Sequence, residues 1–550
     1  MPFGVLEDYT LPRVPGTVSL TETYQDGDHA DLKKIGDITL VPQPSDSPND
    51  PLNWSPWRKH ILLFVVTLTS GVTVALGPMI SPGLPLLAMQ FQKSLDVVST
   101  YLVGLFILWT GIFTFFTSAA ASVWGKRVMF ITSGIALLAL NAWGFFAKSF
   151  PQFVAMRLMQ GFASAPFETL VTSTVQDIFF VHERGQKMAL WVFMITTGVL
   201  LGQVISGQII QQLGVEYTFG ICSLIFIPLV VATFFFVPET VYHRNTTTKG
   251  VELLHKTTTN ATTKSGSGTD TDIDTTTSIS TTEIASIQPA DEQPEAPARG
   301  PSFWGGKELV VFRGRVSDES FWRQVILPFP LFLYPAVIFG SFIYGSFFAW
   351  LVAVSVVSVP MFSAPPYNLS PAQVGLTNLP LLFAGLAGAP VSGWLADKVI
   401  RSMAKRNNGV YEPEFRLTLM AIAAVLSTVA FLGLGASVGA GAPLAVPLVF
   451  ISCHSMAIPF ASQAAYTYVT DCHPSDANQA FVTIGLVKGI LTFVSTTFIN
   501  GWFEASGPKS VFWTIAALNG ALSLLTLPMY VFGKRFRALV ARKIQSRISK

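Results

Sequence analysis

Two charged residues interrupt one long apolar run of this chain, Arg157 and Glu168. Spaced i, i+11 on a helix, they would share one face, about 20° apart in rotation and ~16 Å apart along the axis. Gln160, Gly161 and Ser164 fall on or near the same stripe. Charge within an apolar segment is costly and marks a functional candidate by default. A carboxyl in low dielectric holds a proton near neutral pH, and an arginine or solvent brought close drives that proton off. Glu168 is therefore expected to carry a proton or to recognise a cation, with a hydrogen-bonded structural acid as the alternative. Arg157 is expected to couple to it, or to reach along its own helix to a polar edge.

Lys488 is a second charge in an apolar run. It could oppose Glu168, bind an anionic group of a substrate, or pack in a polar cavity. His454 titrates in the range that suits proton work, and a hydrogen-bonded core histidine is the other outcome. Trp109, Gln160, Gln203, Tyr344, Trp350, Asn378, Gln463 and Tyr466 stand at expected inward positions. With Lys488 and His454 they are expected to line a large pocket that takes apolar, planar or cationic compounds by stacking and sparse hydrogen bonding. Aromatics near helix ends would instead anchor at a membrane interface. No His/Cys cluster has metal spacing, no G-x-S-x-G elbow occurs, and no phosphate-cradling loop points to ATP. The expectation is no catalytic residue, no metal and no cofactor.

Charges held this way need an apolar scaffold, and the composition supplies one. Of 550 residues, 50% are hydrophobic and only 12% charged, with 44 Phe, against a usual charged fraction of about 25%. Too few charges remain to cover a soluble protein of this length. Basic and acidic residues, 35 against 32, leave no footprint for nucleic acid. Cys222, Cys453 and Cys472 cannot make a disulfide framework. Runs of roughly 20 apolar residues recur near 61–84, 97–121, 128–147, 152–178, 187–211, 216–237, 332–358, 372–396, 416–437, 443–470, 478–503 and 509–532. The fold class is an all-α polytopic membrane protein with twelve transmembrane helices in two six-helix halves.

The chain divides into an N-terminal tail (1–58), a first half (59–238), a central loop (239–325), a second half (326–533) and a C-terminal tail (534–550). The first 58 residues lack the apolar core of a cleaved signal peptide. The central loop carries a Thr/Ser tract from Asn245 to Ile287 that cannot bury a core and reads as a tether. Lys126, Arg127, Arg184, Lys187, Lys398, Arg401, Lys405 and Arg406 crowd one set of short loops, whereas the opposite set holds Lys93, Lys148 and Lys509. By the positive-inside rule both termini and the central loop face the cytoplasm, which leaves the sequons at Asn245 and Asn260 unglycosylated. Asn368 falls on the outer side and is a glycosylation candidate.

Motifs narrow the class. Arg157-Leu-Met-Gln160-Gly161 resembles the R-x-x-Q-G motif of fourth helices in the major facilitator superfamily. Gly393-Trp-Leu395-Ala-Asp397-Lys398 resembles that superfamily's signature loop, G-x-L-x-D-[RK]. Gly198-x-x-x-Gly202-Gln203-x-x-Ser206-Gly207 is similar to the antiporter motif G-x-x-x-G-P-x-x-G-G, with Gln203 in place of proline. Gly77 to Pro85 looks like the Gly/Pro pattern of twelve-helix drug:proton antiporters. Asp50 to Ser55, Pro238-Glu239-Thr240-Val-Tyr242 and Asn407 to Leu417 resemble a fungal branch of that family. In the first-half signature loop, Ser118 and Ser122 replace the motif's glycine and aspartate, while Gly125, Lys126 and Arg127 are kept.

The resemblance implies alternating access about a midplane site between two halves. It implies a coupling role for Arg157 and a conformational latch. That latch would rest on Lys126 or Arg127 with Asp177, or on Gly393, Asp397 and Lys398. Gly198, Gly202, Ser206 and Gly207 have the spacing that lets helices approach closely, as packing or as a hinge. The implied function is proton-coupled export of a drug, toxin or secondary metabolite from a fungal cell. The alternative is proton symport that imports a nutrient or an organic cation such as a polyamine. Implied partners are the small organic substrate, protons and the bilayer. The implied setting is the plasma membrane, or the vacuolar membrane, with the protein a monomer.

Overall fold

The structure, a computed structural model, describes residues 42–242, 310–312, 314–474 and 476–548, with 4–8, 11, 14–19, 34–35 and 38–39 of the preceding chain. The Thr/Ser tract and the sequons at Asn245 and Asn260 lie outside the described residues.

The chain is helical wherever the apolar runs predict it. The main helices are α1 (Pro56–Ala75), α2 (Leu105–Trp124), α3 (Lys126–Phe146), α4 (Phe150–Ile178), α5 (Val181–Gln212) and α6 (Val215–Phe236). The second half contributes α7 (Pro335–Ser363), α8 (Asn378–Arg406), α9 (Leu419–Gly439), α10 (Ala445–Ser462), α11 (Ala477–Leu524) and α12 (Thr526–Ile548). Ten described helical segments are long and apolar enough to cross a membrane, against the twelve expected. Two physical reasons account for the difference. In α4, Arg157, Gln160, Glu168 and Asp177 dilute the apolar run, so it falls outside the ten. The last of the ten, Ala477–Lys543, runs unbroken through α11, although α11 bends at Gly507, where φ is 72°, a value only glycine adopts readily.

Two expected boundaries shift. Residue 534 begins no separate tail: α12 passes straight through it, and Lys534 and Arg537 are buried. The stretch Phe321 to Leu333 is a short helix followed by a 3₁₀ turn that leads into α7. It packs on α2 of the other half, with Phe321 against Trp124 and Phe329 against Phe115.

The end where α1 begins and α12 finishes is called the terminal end, and the opposite end the distal end. The distal end is closed between the halves by specific contacts. The backbone N–H of Gly501 donates to Asp96 (3.1 Å), and Asn500 donates to Ser99 (3.1 Å). Gln211 accepts from Ser370 (2.9 Å) and from the Ala372 N–H (3.0 Å). Among the described residues there are also four strands of two residues each. Val18–Ser19 (β1) pairs antiparallel with Val410–Tyr411 (β4), and Lys34–Ile35 (β2) pairs with Ile38–Thr39 (β3).

Candidate functional site

Glu168 on α4 and Lys488 on α11 form an ion pair across the seam between the halves. The side chains are 12% and 6% exposed, so both charges depend on each other rather than on water. The Lys488 ammonium also lies over the Phe348 ring, 4.6 Å from its centroid, a cation–π contact. Of the roles open to Lys488, the structure shows that of counter-charge to Glu168.

Aromatic rings continue from this pair. Phe348 stacks on Tyr344, Tyr344 meets Tyr466 edge-on at 4.5 Å, and Tyr466 in turn meets Phe481 at 5.0 Å and Trp191 of the other half at 6.2 Å. Tyr466 sits in a π-helical turn, Gln463–Thr467. Such turns are rare and recur at functional sites because they re-aim side chains out of helical register. A second π turn, Thr100–Gly104, precedes α2. The rings therefore close on one another, whereas the sequence led to the expectation of a large open pocket. A cavity of about 60 Å³ lies nearer the terminal end, bordered by Ser118, Lys126, Thr169, Ser173, Gln324 and Asn478 among others. An apolar cluster of Phe115, Ala119, Val325 and Val482 packs beside it.

Arg157 does not approach Glu168. It is fully buried, donates to the Leu76 carbonyl (2.7 Å) and to Gln160 (3.1 Å), and lies between the rings of Phe106 and Phe219. Gln160 passes the chain on to Asn141 (3.1 Å). Nε and Nη2 of Arg157 meet no acceptor among the described residues. The residue is thus held within the first half, and it does not extend along α4 to a polar edge.

The small-residue motif on α5 serves two contacts. A Cβ on Gly198 would collide with the Gly71 carbonyl, and one on Gly202 would lie 2.9 Å from Ala75 Cβ, so both let α5 press on α1. Ser206 donates to the Met79 carbonyl just beyond α1. Gly207 faces the other half, where a Cβ would lie 2.9 Å from the Pro371 carbonyl. Gln203, in the motif's proline position, also crosses the seam and donates to Ser355 (3.1 Å).

At the terminal end, Lys126 pairs with Asp177 at 2.6 Å, and Thr240 donates to the same carboxylate (2.9 Å). Arg127 has a different partner set, the carbonyls of Val237 and Phe234. Glu239 accepts from the backbone N–H groups of Lys126 and Arg127 (3.1 Å each), which places its charge on the N-terminus of α3, where the helix dipole favours an anion. The second-half motif is not a loop: Gly393, Asp397 and Lys398 are helical residues inside α8. Asp397 makes no ion pair among the described residues, and Lys398 lies over its own helix's Trp394 at 4.7 Å.

Other expectations are corrected by packing. Trp109 stacks on Phe113, whose edge-on neighbour Phe162 is half exposed, so it belongs to the perimeter of the bundle. His454 is a satisfied core histidine, between Ser427 (2.9 Å) and the Phe347 carbonyl (3.2 Å). Asn378 donates back to the Gly375 carbonyl (3.2 Å) and Gln463 accepts from Thr467 (3.0 Å), both within a few residues of themselves. Trp350 is buried, and its indole N–H meets no acceptor among the described residues. Asn368 is exposed in the distal connection, at φ 50°. Sequence reasoning missed Trp191, Phe348, Phe481, Ser355 and the capping role of Glu239. Phe348 alone gave a usable signal, four residues after Tyr344 on one helix face. Among the described residues no group of three or more His, Cys, Asp or Glu could hold a metal.

A family model described as Major Facilitator Superfamily matches residues 62–496. An uncharacterized MFS-type transporter of Schizosaccharomyces pombe is 25% identical over 98% of this chain and 94% of its own length. Protein HOL1 of Saccharomyces cerevisiae is 24% identical over 96% of each chain. Among solved structures, a D-xylose-proton symporter aligns with a TM-score of 0.57 at 14% identity, covering 87% of this chain and 99% of that one, which is a likeness of fold.

Proposed function

The chain belongs to the Major Facilitator Superfamily, a family of membrane transporters, and from that premise we propose that it is a proton-coupled secondary transporter of small organic compounds working by alternating access. Counting α4, and dividing the last apolar segment at Gly507, gives the twelve spans of two six-helix halves. The observation that carries the coupling is the Glu168–Lys488 pair across the seam. A proton on Glu168 removes the anion, leaves Lys488 without its counter-charge, and weakens the tie between the halves. Loss of that proton restores the tie. Protonation is thereby exchanged for conformation, with about 2.3 kcal/mol per charge per 100 mV available from the membrane potential.

In this reading the cargo binds where the aromatic cluster of Tyr344, Phe348, Tyr466 and Trp191 parts, and Lys126–Asp177 with Glu239 forms the latch of the first half. Export is the favoured direction, supported by the antiporter-like strings Gly77 to Pro85 and Gly198 to Gly207. Import of a nutrient or organic cation is the second reading, favoured by Gln203, which replaces the motif's proline and bonds across the seam to Ser355. Both termini are assigned to the cytoplasm of a fungal cell, with the protein a monomer in the plasma membrane.

The test is growth of a pump-deficient yeast that expresses the chain or its Glu168→Gln form on toxic compounds and cations. Resistance that disappears in the Gln form, at equal surface abundance, supports proton-driven export. Hypersensitivity that depends on Glu168 means import. An identical profile for both forms removes Glu168 from the mechanism.

A further inference from the structure

Residues 4–8 and 14–19 lie on the terminal face of the second half. The Leu6 N–H donates to the Val531 carbonyl (2.9 Å), and Lys534 binds Glu7 (2.6 Å). Val5 and Val14 are buried. Val18 and Ser19 pair as a strand with Tyr411 and Val410. Gly16, at φ 86°, fits so closely that a Cβ would lie 2.5 Å from the Asp471 carbonyl. Both the backbone conformation and the space restrict this position to glycine.

Beneath the segment is a buried network of charge. Glu412 pairs with Lys534 (2.6 Å) and Arg537 (2.9 Å), and Glu414 pairs with Arg537 (2.7 Å). Beside it Arg416 pairs with Asp471 (2.5 Å). The segment joins this network directly: Thr17 donates to Glu412 (2.7 Å), and Arg537 donates to the Pro15 carbonyl. The network ties the terminal ends of α9, α10 and α12 together. Asp471 lies five residues beyond Tyr466 of the central cluster, on the short helix that follows the π turn.

We propose that residues Gly4–Asp8 and Val14–Ser19 form an intramolecular strap that, when docked, braces the terminal ends of α9, α10 and α12 and holds the transporter in the distal-closed state. A segment that binds one arrangement of these helix ends better than another stabilises that arrangement, and only that difference shifts the equilibrium. Tethering keeps the strap at high local concentration, so a modest contact area suffices for docking and release can be rapid. Thr17 is the point of greatest leverage, because an added negative charge there would face the Glu412 carboxylate at hydrogen-bonding distance. The strap rests on the transporter reading for its meaning, yet its test does not require a cargo.

In the full chain, Ser19→Cys with Val410→Cys joins residues paired across β1 and β4. Thr496→Cys places a reporter thiol in the seam, since Thr496 is buried, its carbonyl accepts from Ser99 of the other half (3.3 Å), and its hydroxyl bonds only to carbonyls of its own helix. A membrane-impermeant maleimide applied from the distal side reaches it only when that end opens. We expect the 19–410 disulfide to form. We expect labelling at 496 to be at least several-fold slower in the oxidised form than after reduction, and Thr17→Glu to lower cross-linking and speed labelling. Failure of the disulfide to form in folded protein, or labelling unchanged by reduction, overturns the proposal. Strap-dependent labelling in a chain that moves no solute would keep the strap and discard the transporter reading.

Discussion

Glu168→Gln leaves the Lys488 ammonium in its apolar surroundings without a counter-ion. At 6% exposure for Lys488 and 12% for Glu168, the pair falls in the range where removing one partner costs about 3–5 kcal/mol. The Phe348 ring at 4.6 Å offsets roughly 0.5–2 kcal/mol of that through its quadrupole. The expected loss is then about 3 kcal/mol, roughly a hundredfold in the folded-to-unfolded ratio. Lys488→Met should cost a similar amount at pH 8, but its deficit should shrink toward pH 5, because the stranded carboxyl can take a proton and the stranded ammonium of the Gln form cannot. The double variant removes both charges and should unfold later than either single, with a coupling of at least about 1.5 kcal/mol. Thermal unfolding of the detergent-solubilised chain, followed for the four forms across pH, measures this. Midpoint shifts in the double equal to the sum of the singles would refute the pairing. Recovered stability without recovered proton-driven transport in the double would separate the structural from the coupling role.

Gly198→Ala should sharply reduce folded protein at the membrane, since its methyl meets the Gly71 backbone; Gly393→Ala, with nothing within 4 Å, should be tolerated and raise stability by about 0.5–1 kcal/mol, both read by surface abundance and unfolding midpoint. Glu239→Gln should destabilise more than Lys126→Gln, by about 1–3 kcal/mol, because it weakens four backbone N–H bonds, two of them at the start of α3, whereas Lys126→Gln removes one ion pair; the order of unfolding midpoints checks this. His473, just outside the spans, has its pKa lowered to about 4 by burial and then by nearby Arg537. The folded protein therefore keeps it neutral while the unfolded chain protonates it near 6.5, so stability is full above that value and falls by up to about 3 kcal/mol as pH drops toward 4. His473→Gln should flatten that part of the pH profile.

The spans were legible because burial in a bilayer demands about 20 apolar residues in sequence, a local property. The charged pair was legible for the same reason: Glu168 and Lys488 each stand out against an apolar background, and parity of the spans allows them to meet. What could not be read were contacts set by rotation about a helix axis. Trp109 and Tyr344 look alike in sequence, yet one faces the perimeter and the other Tyr466. The π turn at Gln463–Thr467 shifts Tyr466 out of ordinary register, and no residue type announces such a turn. His454 was ambiguous because its two partners, Ser427 and a backbone carbonyl, come from different helices.

The two halves are also held by different means, and the sequence motifs alone suggested symmetry. In the first half, the Lys126–Asp177 pair and the Glu239 cap join α3, α4 and the end of α6. In the second half, the better-preserved motif at Gly393, Asp397 and Lys398 makes no corresponding ion pair among the described residues, and the joining of helix ends falls to Glu412, Glu414, Lys534 and Arg537. A motif's residues can thus persist while its physical work moves to neighbours that carry buried charge. Buried charge is the more informative guide, because a carboxylate at 1% exposure with two cationic partners is unstable if either partner departs. By that measure the places where this chain can switch are the seam at Glu168 and Lys488 and the network under the N-terminal segment. Arg157, locked within one half against Leu76 and Gln160, is part of the frame on which the seam moves.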